Sequence, residues 1–301
     1  MARKENEMRM GIIGLGRCGM PVAEKYLQSG YQVFGCDRLP DVISEFKGKG
    51  GIPVESPAEA AGKAQAIIVL VLNDEQVLEV ITGPNGILER ATPECTVICM
   101  STINRDNLQF VADSCAAREV RFVDSPFTGG PARITAGTLT LIAAASLEAL
   151  ETARPILEVI GTITVAGDKP GMGQAVKHCN QLLVTAIHAA TIELITLAER
   201  SGVDPELVCQ VVGSGIGGND YFRLLSEAIL RDTASPGGMS QLWKDVNIVV
   251  NSGRRHNLPL LVATAASHYF NMAISQGMAE EDSARLIEVM HRMLDRQAPA
   301  G

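Results

Sequence analysis

The chain has no stripe of clustered lysine and arginine. With 26 basic against 34 acidic residues it carries a formal charge of -8 and a pI near 5.2. That argues against a nucleic-acid surface, because phosphate binding depends on massed positive charge. The stretch from Met1 to Glu7 has none of the apolar core of a signal peptide, so export is not expected. Long hydrophobic runs are scarce. The longest, Leu182 to Ala198, is interrupted by His188 and Glu193 and reads as too short and too polar to span a bilayer, so no membrane partner is expected. Cys95 and Cys99 have no second pair of ligands at zinc spacing, and the five histidines are scattered, so no metal site is expected. Seven cysteines without an export signal imply reduced thiols and a cytoplasmic location. Internal repeats and low-complexity tracts are also missing.

What is present starts near the N-terminus. Met8 to Asp37 reads as strand, glycine turn, helix, strand and a terminal carboxylate. Gly14, Gly16 and Gly19 follow an apolar run and open a helix that stops at Gly30, the setting in which a Gly-x-Gly-x-x-Gly string marks a dinucleotide site. The three glycines allow a tight turn, a close approach of a pyrophosphate and close packing of helix on strand. The loop Gly14, Leu15, Gly16, Arg17, Cys18 and Gly19 is therefore the expected cofactor cradle. Asp37 is placed to accept hydrogen bonds from a ribose and to repel a 2′-phosphate, which favours NAD. Arg38 beside it leaves NADP open, since a guanidinium can turn onto that phosphate.

With 301 residues and 46% hydrophobic content, two domains are the expected organisation. From residue 8 to about 165, β-rich runs alternate with amphipathic stretches: Ala66–Leu72, Thr96–Met100, Arg121–Asp124, Gly137–Ile142 and Thr162–Val165. This signals βα units and a mainly parallel sheet with helices on both faces. Past residue 168 helical periodicity takes over. A helix from about Gly173 to Ser201 would run about 40 Å. Asp204-Pro205 restarts the chain, and further helices are expected over Asn219–Arg231, Ser240–Ser252, Leu258–Ser275 and Glu280–Arg296. The boundaries are set at 8–168 for the nucleotide-binding domain and 169–297 for an all-α domain that carries substrate contacts and self-association. An apolar helix with few charges needs burial on more than one side, which implies a homodimer or homotetramer.

Two polar clusters carry chemistry. In the long helix Lys177 and Asn180 share a face at i, i+3, with Gln181 beside them. A lysine in apolar surroundings loses its proton more easily than one in water, so it can exchange a proton with substrate; a solvated lysine fits the same spacing. The second cluster, Asp124 to Gly130, follows a strand, where ligands of open α/β sheets bind. Thr128 supplies a hydroxyl, and Gly129 and Gly130 present bare N–H groups able to receive a carboxylate, although a structural turn has the same composition.

Taken together, the fingerprint, the Thr128-Gly129-Gly130 loop with Gly137-Thr138-Leu139, the Gly171 to Asn180 segment and the Lys244-Asp245 pair resemble the β-hydroxyacid dehydrogenase family, whose members include 3-hydroxyisobutyrate dehydrogenase and tartronate semialdehyde reductase. The resemblance covers about residues 8 to 293. It implies an α/β Rossmann domain with a parallel-rich sheet, followed by an all-α domain joined through a long helix. It further implies that Lys177 is the catalytic acid/base and Asn180 its assistant, and that Thr128, Gly129 and Gly130 hold the substrate carboxylate. By the same resemblance Leu72, Asn73, Thr102 and Lys244 lie near the cofactor. The implied reaction is reversible hydride transfer between NAD(P) and a short 3-hydroxy acid of the 3-hydroxyisobutyrate, glycerate or threonate type, giving a semialdehyde or keto acid. An imine reductase of the same fold and a non-catalytic nucleotide-binding relative are the alternatives. Lys177 weighs against the first, because such reductases generally lack it, and the intact lysine and glycine loop weigh against the second. Four departures from the family pattern unsettle the substrate: Thr128 in place of serine, Asn73 in place of proline, Arg105 in place of proline and Arg133-Ile134 in place of Gly-Ala. Arg133 fits either a contact to an acidic substrate or a surface position.

Overall fold

The computed structural model describes residues 8–295. Met1 to Glu7 and the expected ends of the last helix and second domain, Arg296 and residue 297, lie outside that range. The chain forms two compact units, one ending at Lys177 and the other beginning at His178.

Among the described residues the first unit is built on nine strands: β1 (Arg9–Ile13), β2 (Gln32–Cys36), β3 (Ile52–Pro53), β4 (Ala66–Val69), β5 (Thr96–Cys99), β6 (Arg121–Asp124), β7 (Phe127–Thr128), β8 (Leu139–Ala144) and β9 (Gly161–Gly167). Their order in the sheet is β3-β2-β1-β4-β5-β6-β8-β7, with β9 pairing β8. All pairs from β3 through β6 are parallel, as is β8 with β9, while β6 and β7 meet β8 antiparallel. The sheet is thus parallel-rich, as expected. Because β1, β2, β4, β5 and β6 are covered on both sides, successive residues feed opposite cores. Met10 and Ile12 belong to one core, and Ile13 and Ile67 to the other.

The order reverses at β1, whose neighbours are β2 on one side and β4 on the other. This is the switch point at which open α/β sheets bind ligands, beyond the carboxyl ends of the strands. The two segments leaving it are the glycine turn after β1 and Leu70 to Asn73 after β4. The strand expected to reach Leu72 stops at Val69. Leu70 still donates its N–H to Ile13 O at 2.8 Å, and Asn73 then caps the helix Asp74–Thr82 by accepting the N–H of Gln76.

The Asp124–Gly130 cluster is more ordered than a turn. Thr128 pairs with Thr140, and Gly130–Ala136 forms a short helix closed by Gly137 at φ +70°. The strand expected to begin at Gly137 therefore begins at Leu139. The last helix also differs from expectation: a 3-10 turn, Ser283–Leu286, capped by Asp282, precedes a helix over Ile287–Asp295.

The helix Met172–Arg200 spans 29 residues. Its length and apolar composition alone are enough to cross a membrane, so the interruption at His188 and Glu193 does not by itself decide the matter. Several of its buried polar groups are partnered within the protein. Fully buried His188 bonds Tyr221 Oη through Nδ1 (2.9 Å) and the Ser283 carbonyl through Nε2 (3.0 Å), and buried Thr185 and Thr191 donate back to Gln181 O and Ile187 O. From His178 on, this helix is a core element of the second unit. Ile192 and Ile195 pack with Phe222, Leu242, Val246 and Phe270. The remaining helices, Pro205–Ser214, Asp220–Arg231, Met239–Arg255 and Leu261–Ser275, make that unit all-α among the described residues.

Candidate active site

Each glycine of the turn meets a different constraint. Gly14 sits at φ +90°, and a Cβ there would lie 2.5 Å from Leu70 O. Its N–H donates to Cys36 O at 2.9 Å, which binds the turn to β2. A Cβ on Gly19 would come within 1.9 Å of Gly14 O, so this position sets how closely the helix Gly19–Gln28 approaches the turn. A Cβ on Gly16 meets nothing within 4 Å. Gly16 and Arg17 are exposed while Leu15 is buried. The bare, open backbone at Gly16 is what a diphosphate needs for close approach, and the residues present fit a dinucleotide.

Asp37 stands where expected, just past β2. Its Oδ2 accepts the N–H of Leu15 at 2.7 Å and Oδ1 accepts that of Leu39 at 3.0 Å. A carboxylate has about four acceptor positions, so capacity remains for ribose hydroxyls. Arg38 next to it is exposed. Leu72 is 44% exposed and Asn73 is tied into its helix cap, both at the end of β4. Thr102 follows β5, between Ser101 and Ile103.

Lys177 lies on the second turn of the long helix and is only 7% exposed. Burial pushes the Cys18 thiol up, and the charges of Arg17 and Lys177 oppose that rise. Lys177 is therefore within electrostatic reach of the glycine turn. Thr128 is half-buried, and Gly129 and Gly130 take φ +135° and +69°, left-handed values that favour glycine. Arg133 is exposed, with its aliphatic stem over Gly129: a Cβ on that glycine would meet Arg133 Cδ at 2.7 Å.

Asn180, half-buried, donates from Nδ2 to Gln181 Oε1 at 2.9 Å. Within the second unit Gln181 Nε2 donates to Asp245 Oδ2 at 2.5 Å, and Lys244 Nζ lies 3.0 Å from Asp245 Oδ1. Lys244 is thus held by a fully buried carboxylate rather than standing at the surface. Sequence reasoning placed Gln181 and Asp124 in its two polar clusters, and Gln174 and Asp245 within the family motifs, but gave none of the four a role. Asp124 is fully buried at the end of β6, and desolvation pushes its carboxyl up to about 6 although the N–H groups of the Gly171–Gln174 turn and the Gln174 side chain hold it down. For Asp124 the signal available was a carboxylate closing a β-rich run directly before the Thr128–Gly130 loop.

Residues 9–167 match the model of the NAD binding domain of 6-phosphogluconate dehydrogenase, and residues 171–290 match the NAD-binding domain of NADP-dependent 3-hydroxyisobutyrate dehydrogenase. The chain is 32% identical to L-threonate dehydrogenase of Cupriavidus necator over 93% of its own length and 95% of that protein's. The chain belongs to the β-hydroxyacid dehydrogenase family. Among solved members, 3-hydroxyisobutyrate dehydrogenase from Salmonella typhimurium superposes with a TM-score of 0.87 at 27% identity, covering 94% of this chain and all of that one. An imine reductase from Pseudomonas shares the fold at a TM-score of 0.64 and 21% identity, covering 95% of this chain and all of that one. As in the family, the first unit of this β-hydroxyacid dehydrogenase is an NAD(P)-binding Rossmann domain, followed by a helical one.

Proposed function

We propose that this β-hydroxyacid dehydrogenase reversibly oxidises short 3-hydroxy acids of the 3-hydroxyisobutyrate, glycerate or threonate type to the semialdehyde or keto acid, with Lys177 as acid/base. The observation that carries the reading is the placement of Lys177: a nearly buried lysine whose charge reaches Cys18 in the glycine turn. Bound NAD(P) supplies the hydride acceptor in oxidation and the hydride donor in reduction. Neutral Lys177 takes the alcohol proton at Nζ as the carbinol C–H bond breaks; in the reverse direction its ammonium returns that proton to the carbonyl oxygen. Asn180, one turn along the same helix and anchored by Gln181, holds the substrate hydroxyl. The bare N–H groups of Gly129 and Gly130 and the Thr128 hydroxyl take the carboxylate, so the carbinol carbon is presented in one orientation rather than many. The Gly14–Gly19 turn and Asp37 hold the dinucleotide, with Leu72, Asn73 and Thr102 beside it, and Asp37 favours NAD over NADP.

Lys177→Ala is expected to lower turnover by at least about a hundredfold, the scale of lost acid–base catalysis, with NADH affinity and melting temperature retained. Near-normal turnover would remove the role given to Lys177. A panel of 3-hydroxyisobutyrate, glycerate and threonate, each with NAD and NADP, reads out the substrate. Because one methylene changes discrimination by only about 1–3 kcal/mol, graded kcat/KM values across the panel are expected.

A further inference from the structure

We propose that Asp124 and Gln174 are a positioning pair for hydride transfer: one carboxylate and one carboxamide, both buried, lock the Lys177 turn of the long helix to the loop carrying Thr102 and to the strand that feeds Thr128–Gly130. The inference rests on the acid/base role assigned to Lys177 above. Asp124 ends β6, directly before the substrate loop. Its Oδ2 accepts the N–H groups of Gly171 (2.8 Å) and Gln174 (3.1 Å), and its Oδ1 accepts Gln174 Nε2 at 3.1 Å. Gln174 Nε2 also donates to Ser101 O at 3.0 Å, and Gln174 Oε1 accepts the N–H of Ile103 at 3.1 Å. Both amide hydrogens and the amide oxygen are thereby committed.

Ser101 and Ile103 flank Thr102, and Gln174 shares a helix face with Lys177 at i, i+3. The three parts that must be in register for the reaction, namely the cofactor loop, the substrate loop and the proton-transferring amine, therefore converge on two side chains. Gly173 tightens the junction, since a Cβ there would lie 2.6 Å from Ile142 O and 2.9 Å from Asp124 Oδ2. Capping the helix would need only Asp124. The second set of bonds, from Gln174 to the residues on either side of Thr102, fixes distance and angle between two functional segments. Apolar packing would hold the helix without burying a charge, whereas a fully satisfied polar network specifies geometry.

Gln174→Met preserves length and removes all three side-chain bonds. Its expected outcome is a fall in kcat of about tenfold or more, on the scale of catalytic groups displaced by a fraction of an ångström. The KM for NAD and the Kd for NADH should stay within about twofold, and the deuterium isotope effect on kcat should rise as chemistry becomes limiting. In the cofactor-free protein, acetylation of Lys177 by acetic anhydride, read by mass spectrometry against exposed Lys47, should increase several-fold. Gln174→Glu tests the same contacts should the methionine variant fail to fold. It sets two carboxylates side by side, which share a proton on acidification, so its kcat relative to the parent should climb from about pH 8 to about pH 6. The proposal is overturned by a methionine variant with kcat within about twofold of the parent. Unchanged Lys177 labelling, or a flat glutamate-to-parent ratio across pH, overturns it equally. A parent protein that turns over no hydroxy acid sinks the proposed function alone, and the labelling comparison still decides the pair.

Discussion

The N–H of Leu15 donates to Asp37 Oδ2 at 2.7 Å, so the carboxylate proposed to bind the ribose also pins the glycine turn. Asp37→Asn keeps an acceptor for only one of the two N–H groups that Asp37 now binds and removes the charge that repels a 2′-phosphate. The ratio of kcat/KM with NAD to that with NADP should fall by about tenfold or more, corresponding to ~1.4 kcal/mol. Parallel initial-rate measurements with the two cofactors check this. An unchanged ratio would mean that Asp37 serves only the turn.

Gly16 and Gly19 separate cofactor binding from folding. The space around Gly16 is open, so Gly16→Ala should melt close to the parent while its NADH Kd rises about tenfold or more, because the methyl occupies room needed by the diphosphate. Gly19→Ala forces a Cβ against Gly14 O and should cost on the order of 3 kcal/mol. Fluorescence titration with NADH and thermal melts of both variants test the division. Equal loss of stability in the two would contradict it.

Much of this was legible from residue order. Strand, glycine turn, helix and Asp37 announce themselves because a diphosphate demands bare backbone, and the long helix shows in its 3.6-residue pattern. The short helix Gly130–Ala136 and the strand Phe127–Thr128 were not legible. Both are shorter than a period-based reading resolves, and they are shaped by left-handed glycines whose φ is set by tertiary context. The Asp124–Gln174 contact joins residues 50 apart, and no local spacing carries that information. Nor does helical period reveal that Lys244 pairs with the buried carboxylate of Asp245 beside it.

Two buried groups should give the units opposite responses to acid. In the first unit Asp124 is pushed up to about 6, chiefly by desolvation, from an ordinary value of 3.8. A carboxyl raised in the folded state contributes stability that is full below its unfolded pKa and is lost as pH rises through about 6, a change of roughly 3 kcal/mol. In the second unit His188 is held down to about 4, first by desolvation, with the Ser283 carbonyl and Asp282 opposing. A histidine kept neutral by the fold gives stability that is full above its unfolded value near 6.5 and falls away as pH drops toward 4, again by roughly 3 kcal/mol. Hydrogen exchange followed by mass spectrometry at several pH values between these limits should therefore show core amides of β6 gaining protection as amides of the helix Met172–Arg200 beyond Thr185 lose it. Asp124→Asn should flatten the first response and leave the second, and His188→Gln should do the reverse. Parallel changes in both units would show that these two groups do not set the pH dependence.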